Sequence, residues 1–153
     1  MATDDSTVAR PIIGMTFDCA APGALARFWS VALGYVESPP PTGWETWEAF
    51  LIAQNVPEDE WDDGASISDP AGTQPSISFL RVPEPKQAKN RLHLDLKVSG
   101  GRHVDSEVRA RLINTKVAEL VEAGGVIHQR QPDTGALDHI VMQDPEGNEF
   151  CVV

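Results

Sequence analysis

Residues 144–151, DPEGNEFC, contain the turn and the strand that decide the fold. Asp, Pro and Gly occupy the first, second and fourth positions of the turn, as in a type I turn, and the apolar residues after it are typical of a strand. The same turn chemistry occurs at residues 69–72, DPAG, and residues 77–82 after it again have the pattern of a strand. Two endings of the same kind indicate an internal repeat.

A strand and a helix precede each of these endings. Residues 11–19 and residues 92–98 alternate apolar with polar or small side chains, as half-buried strands do. An apolar stripe at helical spacing follows each strand, and it stops at Gly34 in the first copy and at residues 124–125 in the second. Each copy therefore has the order strand, helix, three strands. The Trp-rich residues 35–66 make the first copy longer, and we interpret them as an insertion.

The repeat predicts an α+β fold of two paired βαβββ modules that form a shared cleft, because one such module cannot bury both faces of its sheet. A length of 153 residues with 41% hydrophobic and 23% charged residues suits one globular domain. The predicted organisation is a flexible N-terminus (residues 1–10) and a single domain (11–153), which contains a first module (11–82) with the insertion (35–66), a linker (83–90) and a second module (91–153).

The net charge of −11 at pH 7 bears on the partners of the chain. It repels nucleic-acid phosphates and anionic membrane surfaces and favours cationic ligands, so we expect neither nucleic acid nor a membrane as a partner. The N-terminus is acidic and polar, unlike a secretory signal, and no apolar run has the length of a membrane span. The two cysteines, Cys19 and Cys151, are far apart in sequence. We therefore expect a cytoplasmic protein with two free thiols.

Four stretches are informative together: residues 28–29 (FW) with 33–34 (LG), residues 82–86 (VPEPK), residues 89–95 (KNRLHLD) and residues 144–151 (DPEGNEFC). With the repeat, they resemble the glyoxalase-like branch of the vicinal oxygen chelate superfamily, which includes glyoxalase I, bleomycin-resistance proteins and extradiol dioxygenases. The resemblance covers residues 11–153 and implies the paired-module fold and a homodimer, but it fixes no reaction.

The resemblance also implies where a metal ion would lie. Metal-using members take four ligands from the first and last strands of the two modules, with His or Gln on the first strand and Glu on the last. The matching positions in this chain are Gly14, Leu80, His93 and Cys151, of which only His93 fits the pattern. We therefore expect no metal and no other cofactor. The alternative is a rebuilt site that combines His93 and Cys151 with Asp95 or Glu84.

Strand alternation predicts the cleft residues. If the leucines of residues 92–98 face the helix, His93 and Asp95 face the cleft, and Asp18 on the equivalent first strand lies across from them. His93 and Asp95 are then candidate catalytic acid–base groups. In the alternative interpretation, Asp95 only pairs with Arg91 or with a backbone donor. Cys151 is a candidate ligand contact. It is either a nucleophile activated by His93 or a buried, unreactive thiol.

Two further groups of side chains are candidate ligand contacts. Trp44 and Trp47, with Trp61 nearby, lie in the acidic insertion without a clear element to bury them, so they contact a ligand or a second subunit, or else they pack locally. His139 begins a strand predicted to line the second half of the cleft. Trp29, by contrast, lies on the apolar face of a helix and is expected in the core.

The favoured hypothesis is a cleft protein that binds or modifies a small organic molecule, cationic or aromatic, without a metal. If it is an enzyme, it is a glyoxalase-like lyase or isomerase that uses His93 and Asp95. The alternatives are a metal-dependent lyase, isomerase or dioxygenase of the same superfamily, and a resistance-type protein that sequesters a drug. Whether the protein is an enzyme is left open by the sequence.

Overall fold

The structure is a computed structural model that describes residues 11–153, so the predicted flexible N-terminus lies outside the described residues. The first module contains β1 (Met15–Cys19), α1 (Pro22–Leu33), β2 (Val36–Glu37), α2 (Trp47–Ala53), a 3₁₀ helix (Glu58–Asp63), β3 (Gly64–Ser68) and β4 (Ile77–Arg81). The second contains β5 (Asp95–Leu96), α3 (Ser106–Glu122), β6 (Val126–Gln131), β7 (His139–Gln143) and β8 (Glu149–Val152).

Within residues 11–153, the strands form two four-stranded sheets of the same topology. The strand order is β1-β4-β3-β2 in one sheet and β5-β8-β7-β6 in the other. In each sheet the first strand of the module pairs parallel with the last strand, and the other pairs are antiparallel. The predicted α+β fold with two βαβββ modules is confirmed.

Helix α1 joins the two modules. Its Trp29 ring lies 5.1 Å from the Phe150 ring of β8, and its Phe28 ring lies 5.9 Å from the same ring. The indole Nε1 of Trp29 also donates a hydrogen bond of 3.1 Å to the buried carboxylate of Asp144. Since Trp29, Phe28 and Phe150 are each at most 2% exposed, one apolar core extends across both modules.

Strand β5 differs from its prediction. The alternating stretch at residues 92–98 contains only two strand residues, although backbone bonds from Cys151 to Leu94 and from Val98 to Val153 extend the pairing with the end of the chain. Leu96 is buried as expected, but Leu92 is 78% exposed. The prediction that Leu92 faces the helix is therefore wrong, because the chain has left the sheet at that residue.

The Trp-rich insertion folds into local structure. It contains α2 and the 3₁₀ helix, and both β2 and the start of β3 fall within its predicted limits. The predicted turn at residues 69–72 follows β3, with the backbone N–H of Gly72 bonded to the carbonyl of Asp69. Among residues 11–153, no helix has both the length and the apolar composition needed to cross a bilayer.

Candidate functional site

Strand β1 and the residues just before β5 border a cavity of about 480 Å³, which we name the inter-module cavity. Its lining comes from residues 13–18, from Trp29 of α1, from residues 90–94 at the end of the linker and the start of the second module, and from residues 148–150. Asp18 and His93 both line it, but Asp95 does not. The predicted roles of Asp18 and His93 in ligand binding stay predictions.

A larger cavity of about 790 Å³ lies against the second sheet, and we name it the second-module cavity. Four of the predicted site residues line it together: His93, Asp95, His139 and Cys151. Three of these, without Asp95, also line an adjoining cavity of about 360 Å³. The sheet topology explains the convergence, because β8 pairs with both β5 and β7.

His93, Asp95 and Cys151 form a group of potential donor atoms for a metal ion. Asp95 and Cys151 are register partners on the parallel strands β5 and β8, and His93 lies two residues before Asp95. His93 Nε2 is 3.5 Å from Asp95 Oδ1, and one donor atom from each of the three residues lies within 4.8 Å of the others. Cys151 is 8% exposed, whereas the side chains of His93 and Asp95 are 43% and 48% exposed.

The surroundings of Cys151 do not favour a nucleophile. Burial is the first cause that raises the pKa of the Cys151 thiol, and the charge of Asp95 and a hydrogen bond to its carboxylate raise it further. A thiol of raised pKa is protonated at neutral pH and donates a hydrogen bond rather than attacking an electrophile. Of the two interpretations left open by the sequence, the geometry favours the unreactive thiol.

A charged group around Asp138 was not found from the sequence. The Asp138 carboxylate accepts hydrogen bonds from Arg102 (3.1 Å to each oxygen) and from Arg109 (3.2 Å), and His139 Nδ1 lies 3.0 Å from Asp138 Oδ2. All four residues line the second-module cavity. The sequence shows only that Asp138 and His139 are neighbours. The two arginines could not be predicted to join them, because they come from a loop and a helix about 30 residues earlier in the chain.

The aromatic side chains of the insertion lie elsewhere. Trp44 and Trp47 pack edge-to-face on Phe50, with ring centroids 5.8 Å and 5.9 Å away, and Trp47 Nε1 donates a 2.8 Å hydrogen bond to the carbonyl of Ser38. Neither Trp44 nor Trp47 lines the inter-module or the second-module cavity. The structure therefore does not bring them to the other site residues, and their contact with a ligand stays a prediction.

Two βαβββ modules with cavities beside β1 and against the second sheet define the class of small cleft proteins that the sequence predicts. The chain belongs to the glyoxalase-like domain family, whose pattern matches residues 14–153. This membership confirms the resemblance to the vicinal oxygen chelate superfamily. No curated protein matches the chain.

Solved structures confirm the fold at low sequence identity. A glyoxalase/bleomycin resistance protein/dioxygenase family enzyme from Burkholderia phytofirmans is 13% identical, with a TM-score of 0.56 over 90% of this chain and 93% of that one. The fosfomycin resistance protein FosX from Mesorhizobium loti is 10% identical, with a TM-score of 0.57 over 95% and 91%.

A third similar structure is a variant of FosX from Listeria monocytogenes, solved with Mn(II) and 1S,2S-dihydroxypropylphosphonic acid. It is 11% identical to this chain, with a TM-score of 0.55 over 95% of this chain and 90% of that one. At these identities the similarities show the fold alone.

The donor set can be tested against the metal ion that the fold family implies. Gly14 and Leu80 carry no donor, so the first module supplies nothing at the two positions expected of it. The second module brings together a nitrogen, an oxygen and a sulfur donor within 4.8 Å of one another, a set that suits zinc better than manganese or magnesium. His93, Asp95 and Cys151 therefore fit an open three-donor site, but not the four-ligand pattern of the superfamily.

Proposed function

We propose that this protein binds and chemically modifies a small organic molecule in the second-module cavity, with His93 and Asp95 as acid–base groups and without a metal ion. The observation that carries the proposal is the convergence of His93, Asp95, His139 and Cys151 on one cavity of about 790 Å³. A cavity of this size with a few convergent polar groups is typical of sites for small molecules.

The geometry supports separate roles for the three clustered side chains. The imidazole of His93 takes a proton from the ligand, and the Asp95 carboxylate, 3.5 Å from Nε2, stabilises the imidazolium that forms. Cys151, held protonated by burial and by Asp95, donates a hydrogen bond. The reaction class that fits is proton transfer, as in a lyase or an isomerase.

The charges of the cavity define the ligands to screen. The total charge of −11 favours a cation, but Lys97, Arg102 and Arg109 line the cavity together with Asp95 and Asp138. Both signs of charge are therefore within reach of a ligand. A thermal-shift screen should include small carboxylates and phosphonates as well as cationic and aromatic compounds, since a ligand far above its Kd stabilises the fold by a few kcal/mol.

His93→Ala tests the proposal with the best compound from the screen. We expect calorimetric titration to show a loss of about 1–3 kcal/mol in binding free energy, the cost of leaving a ligand group unpaired in the cavity. Turnover, if it is detected, should fall with it. His103→Ala, in an exposed loop outside the cavity, is the matched control. Equal affinity and turnover in the wild type and His93→Ala would refute the role of His93.

A metal-dependent activity is the second candidate, and the three-donor group of His93, Asp95 and Cys151 favours it. A zinc ion held there would supply a Lewis acid for a ligand oxygen. Elemental analysis of protein purified without added metal, followed by titration with zinc and cobalt, distinguishes the candidates. One equivalent of tightly bound metal that is lost in Cys151→Ser, together with a thiolate-to-cobalt absorption band, would replace the metal-free proposal.

A further inference from the structure

Asp138 and His139 form a hydrogen-bonded pair at the start of β7. His139 Nδ1 lies 3.0 Å from Asp138 Oδ2. Because an ionised carboxylate only accepts hydrogen bonds, Nδ1 carries the hydrogen, and the neutral imidazole then has its lone pair on Nε2. Within residues 11–153, Nε2 has no hydrogen-bond partner from the protein. The side chain is 30% exposed and lines the second-module cavity.

Two arginines fix the carboxylate that orients His139. Arg102 binds both oxygens of Asp138 through Nε and Nη2, each at 3.1 Å. Arg109 reaches Asp138 from α3, and its Nη2 lies 3.2 Å from Oδ1 and 3.3 Å from the backbone carbonyl of Asp138. The Arg109 side chain is only 12% exposed, and its buried Nε has no protein partner among the described residues. Burying a guanidinium in this way is costly, so its position is strongly determined by the pair with Asp138.

The arginines also determine the charge of Asp138. Hydrogen bonds from Arg102 and then from His139 are the main causes that hold the pKa of Asp138 well below its usual range. The carboxylate therefore stays ionised and accepts the hydrogen bond from Nδ1. Nε2 is then the ring nitrogen that is left to exchange a proton with a ligand in the cavity.

We propose that His139 is a second acid–base group of the second-module cavity, oriented by Asp138, with Arg109 as the positioning residue that fixes Asp138 to α3. The inference rests on the proposed function. It adds His139 as an acid–base group that is held by a closer carboxylate than His93 is. His93 is more exposed than His139, and its ring nitrogen is 3.5 Å from its carboxylate rather than 3.0 Å.

The chemistry of the site defines the class of ligand. His139 Nε2 accepts a proton from an O–H group or from a C–H group beside a carbonyl. That bond breaks, its electron pair stays on the ligand atom, and the new N–H bond gives an imidazolium held against Asp138. The other titratable or charged groups that line the same cavity are His93, Asp95, Lys97, Arg102, Arg109 and Cys151.

The tautomer of His139 in the ligand-free protein tests the orientation. Long-range ¹H–¹⁵N NMR spectra distinguish the two neutral forms of each histidine, and His139→Gln assigns the signals. We expect the Nδ1–H form to dominate for His139 in the wild type and to give way to the Nε2–H form in Asp138→Ala. Asp133→Ala, exposed in the same loop, is the control and should leave the tautomer unchanged. A dominant Nε2–H form in the wild type overturns the proposal, even if Asp138→Ala does not fold.

The role in proton transfer is tested with the hit from the ligand screen. We expect His139→Gln to lower its turnover by about 10²-fold, a common contribution of a general base. Unchanged turnover in His139→Gln together with a loss in His93→Ala overturns this proposal and leaves the proposed function standing. If no compound binds, the proposed function fails by itself, and the wild-type tautomer still decides whether Asp138 orients His139.

Discussion

Glu149, the first residue of β8, ties the linker between the modules to the second sheet. Its Oε2 accepts a 3.0 Å hydrogen bond from the backbone N–H of Asn90 and lies 3.1 Å from Lys86 Nζ. The hydrogen bond from Asn90 is the first cause that lowers the pKa of Glu149 from 4.5 to about 2, and Lys86 lowers it further. The ionised form is therefore the one that holds the linker in place.

The shifted pKa of Glu149 predicts how its contribution to stability depends on pH. Because the pKa is lower in the folded state, the contribution is fully present above about pH 4.5 and is lost as the pH falls towards 2. We expect Glu149→Gln to lower the free energy of unfolding by about 1 kcal/mol at neutral pH, because the glutamine oxygen still accepts a hydrogen bond but the charge that strengthens it is lost. Urea unfolding at several pH values measures this difference.

The difference between the wild type and Glu149→Gln should shrink steadily below pH 4.5. Glu58→Gln, at an exposed position of the 3₁₀ helix, is the control and should change little at any pH. A destabilisation by Glu149→Gln that stays constant down to pH 3 would contradict the assigned cause.

The hydrogen bonds of Asp144 were only partly predictable from the sequence. Its place in a type I turn was predictable, and its side chain accepts hydrogen bonds from the backbone N–H groups of Glu146 and Asn148 as such turns require. The bond from Trp29 to its other oxygen was not predictable, because it joins residues 115 positions apart. The same limit applies to Asp138 and Arg109, whose pairing depends on how α3 packs against β7.

At the scale of elements, the N-terminus of α1 depends on the other module. The capping residue is Ala21, which has no side chain to accept a hydrogen bond. The carboxylate of Glu146 accepts instead from the backbone N–H groups of Ala20, at 2.8 and 3.0 Å, and of Ala21, at 2.8 Å. A negative charge at a helix N-terminus is favourable both for these N–H groups and for the helix dipole.

Glu146→Ala should therefore destabilise the protein by about 0.5–2 kcal/mol, a range like that for losing a side-chain acceptor at a helix N-terminus. Glu122→Ala is a matched control at the C-terminal end of α3, where an acidic side chain is unfavourable, so it should leave stability unchanged or slightly higher. Thermal unfolding monitored by circular dichroism gives both values. Equal effects of the two substitutions would show that Glu146 does not stabilise the start of α1.

Trp47, at the start of α2 in the insertion, is expected to contribute to stability. Trp47 packs on Phe50 and bonds to Ser38 within the same segment, which favours local packing over contact with a ligand. We expect Trp47→Ala to lower the free energy of unfolding by about 2–4 kcal/mol, less than the truncation of a fully buried Trp because Trp47 is half-buried, with ligand affinity unchanged. Trp47→Phe should recover part of the loss. Weaker ligand binding at unchanged stability would instead favour contact with a ligand, which is one of the alternatives that the sequence left open.

The strands and helices were largely predictable because their periodicities are strong, and the failures have local causes. Residues 92–98 alternate, but only Asp95–Leu96 is strand, because the chain leaves the sheet near Leu92 and only Asp95 and Leu96 have register partners on β8. The contents of residues 35–66 were left open because Pro39, Pro40 and Pro41 interrupt any periodic pattern. His93 and Asp95 both line the second-module cavity, but Asp18, predicted to lie across from them, does not.

At the scale of the whole molecule, an apolar rim lies beside the inter-module cavity. Ile13 and Leu92, which precede β1 and β5, both line this cavity and are 76% and 78% exposed, and the neighbouring Ile12 is 93% exposed. A group of exposed apolar side chains often marks a contact surface, whereas single exposed apolar side chains are normal on a protein. We therefore expect this rim to be the contact of the homodimer that the family resemblance implies.

Light scattering coupled to size-exclusion chromatography tests this assembly. We expect a dimer that gives way to a monomer in the double variant Ile13→Ser and Leu92→Ser. A net charge of −11 on each chain opposes association, so the dimer should dissociate at low ionic strength before it does at high ionic strength. The control is Val126→Ser with Ile127→Ser, two side chains of β6 that are 55% and 51% exposed away from the rim. A monomeric wild type at every concentration and salt, or a dimer lost only in the control variant, would refute the rim as the dimer contact.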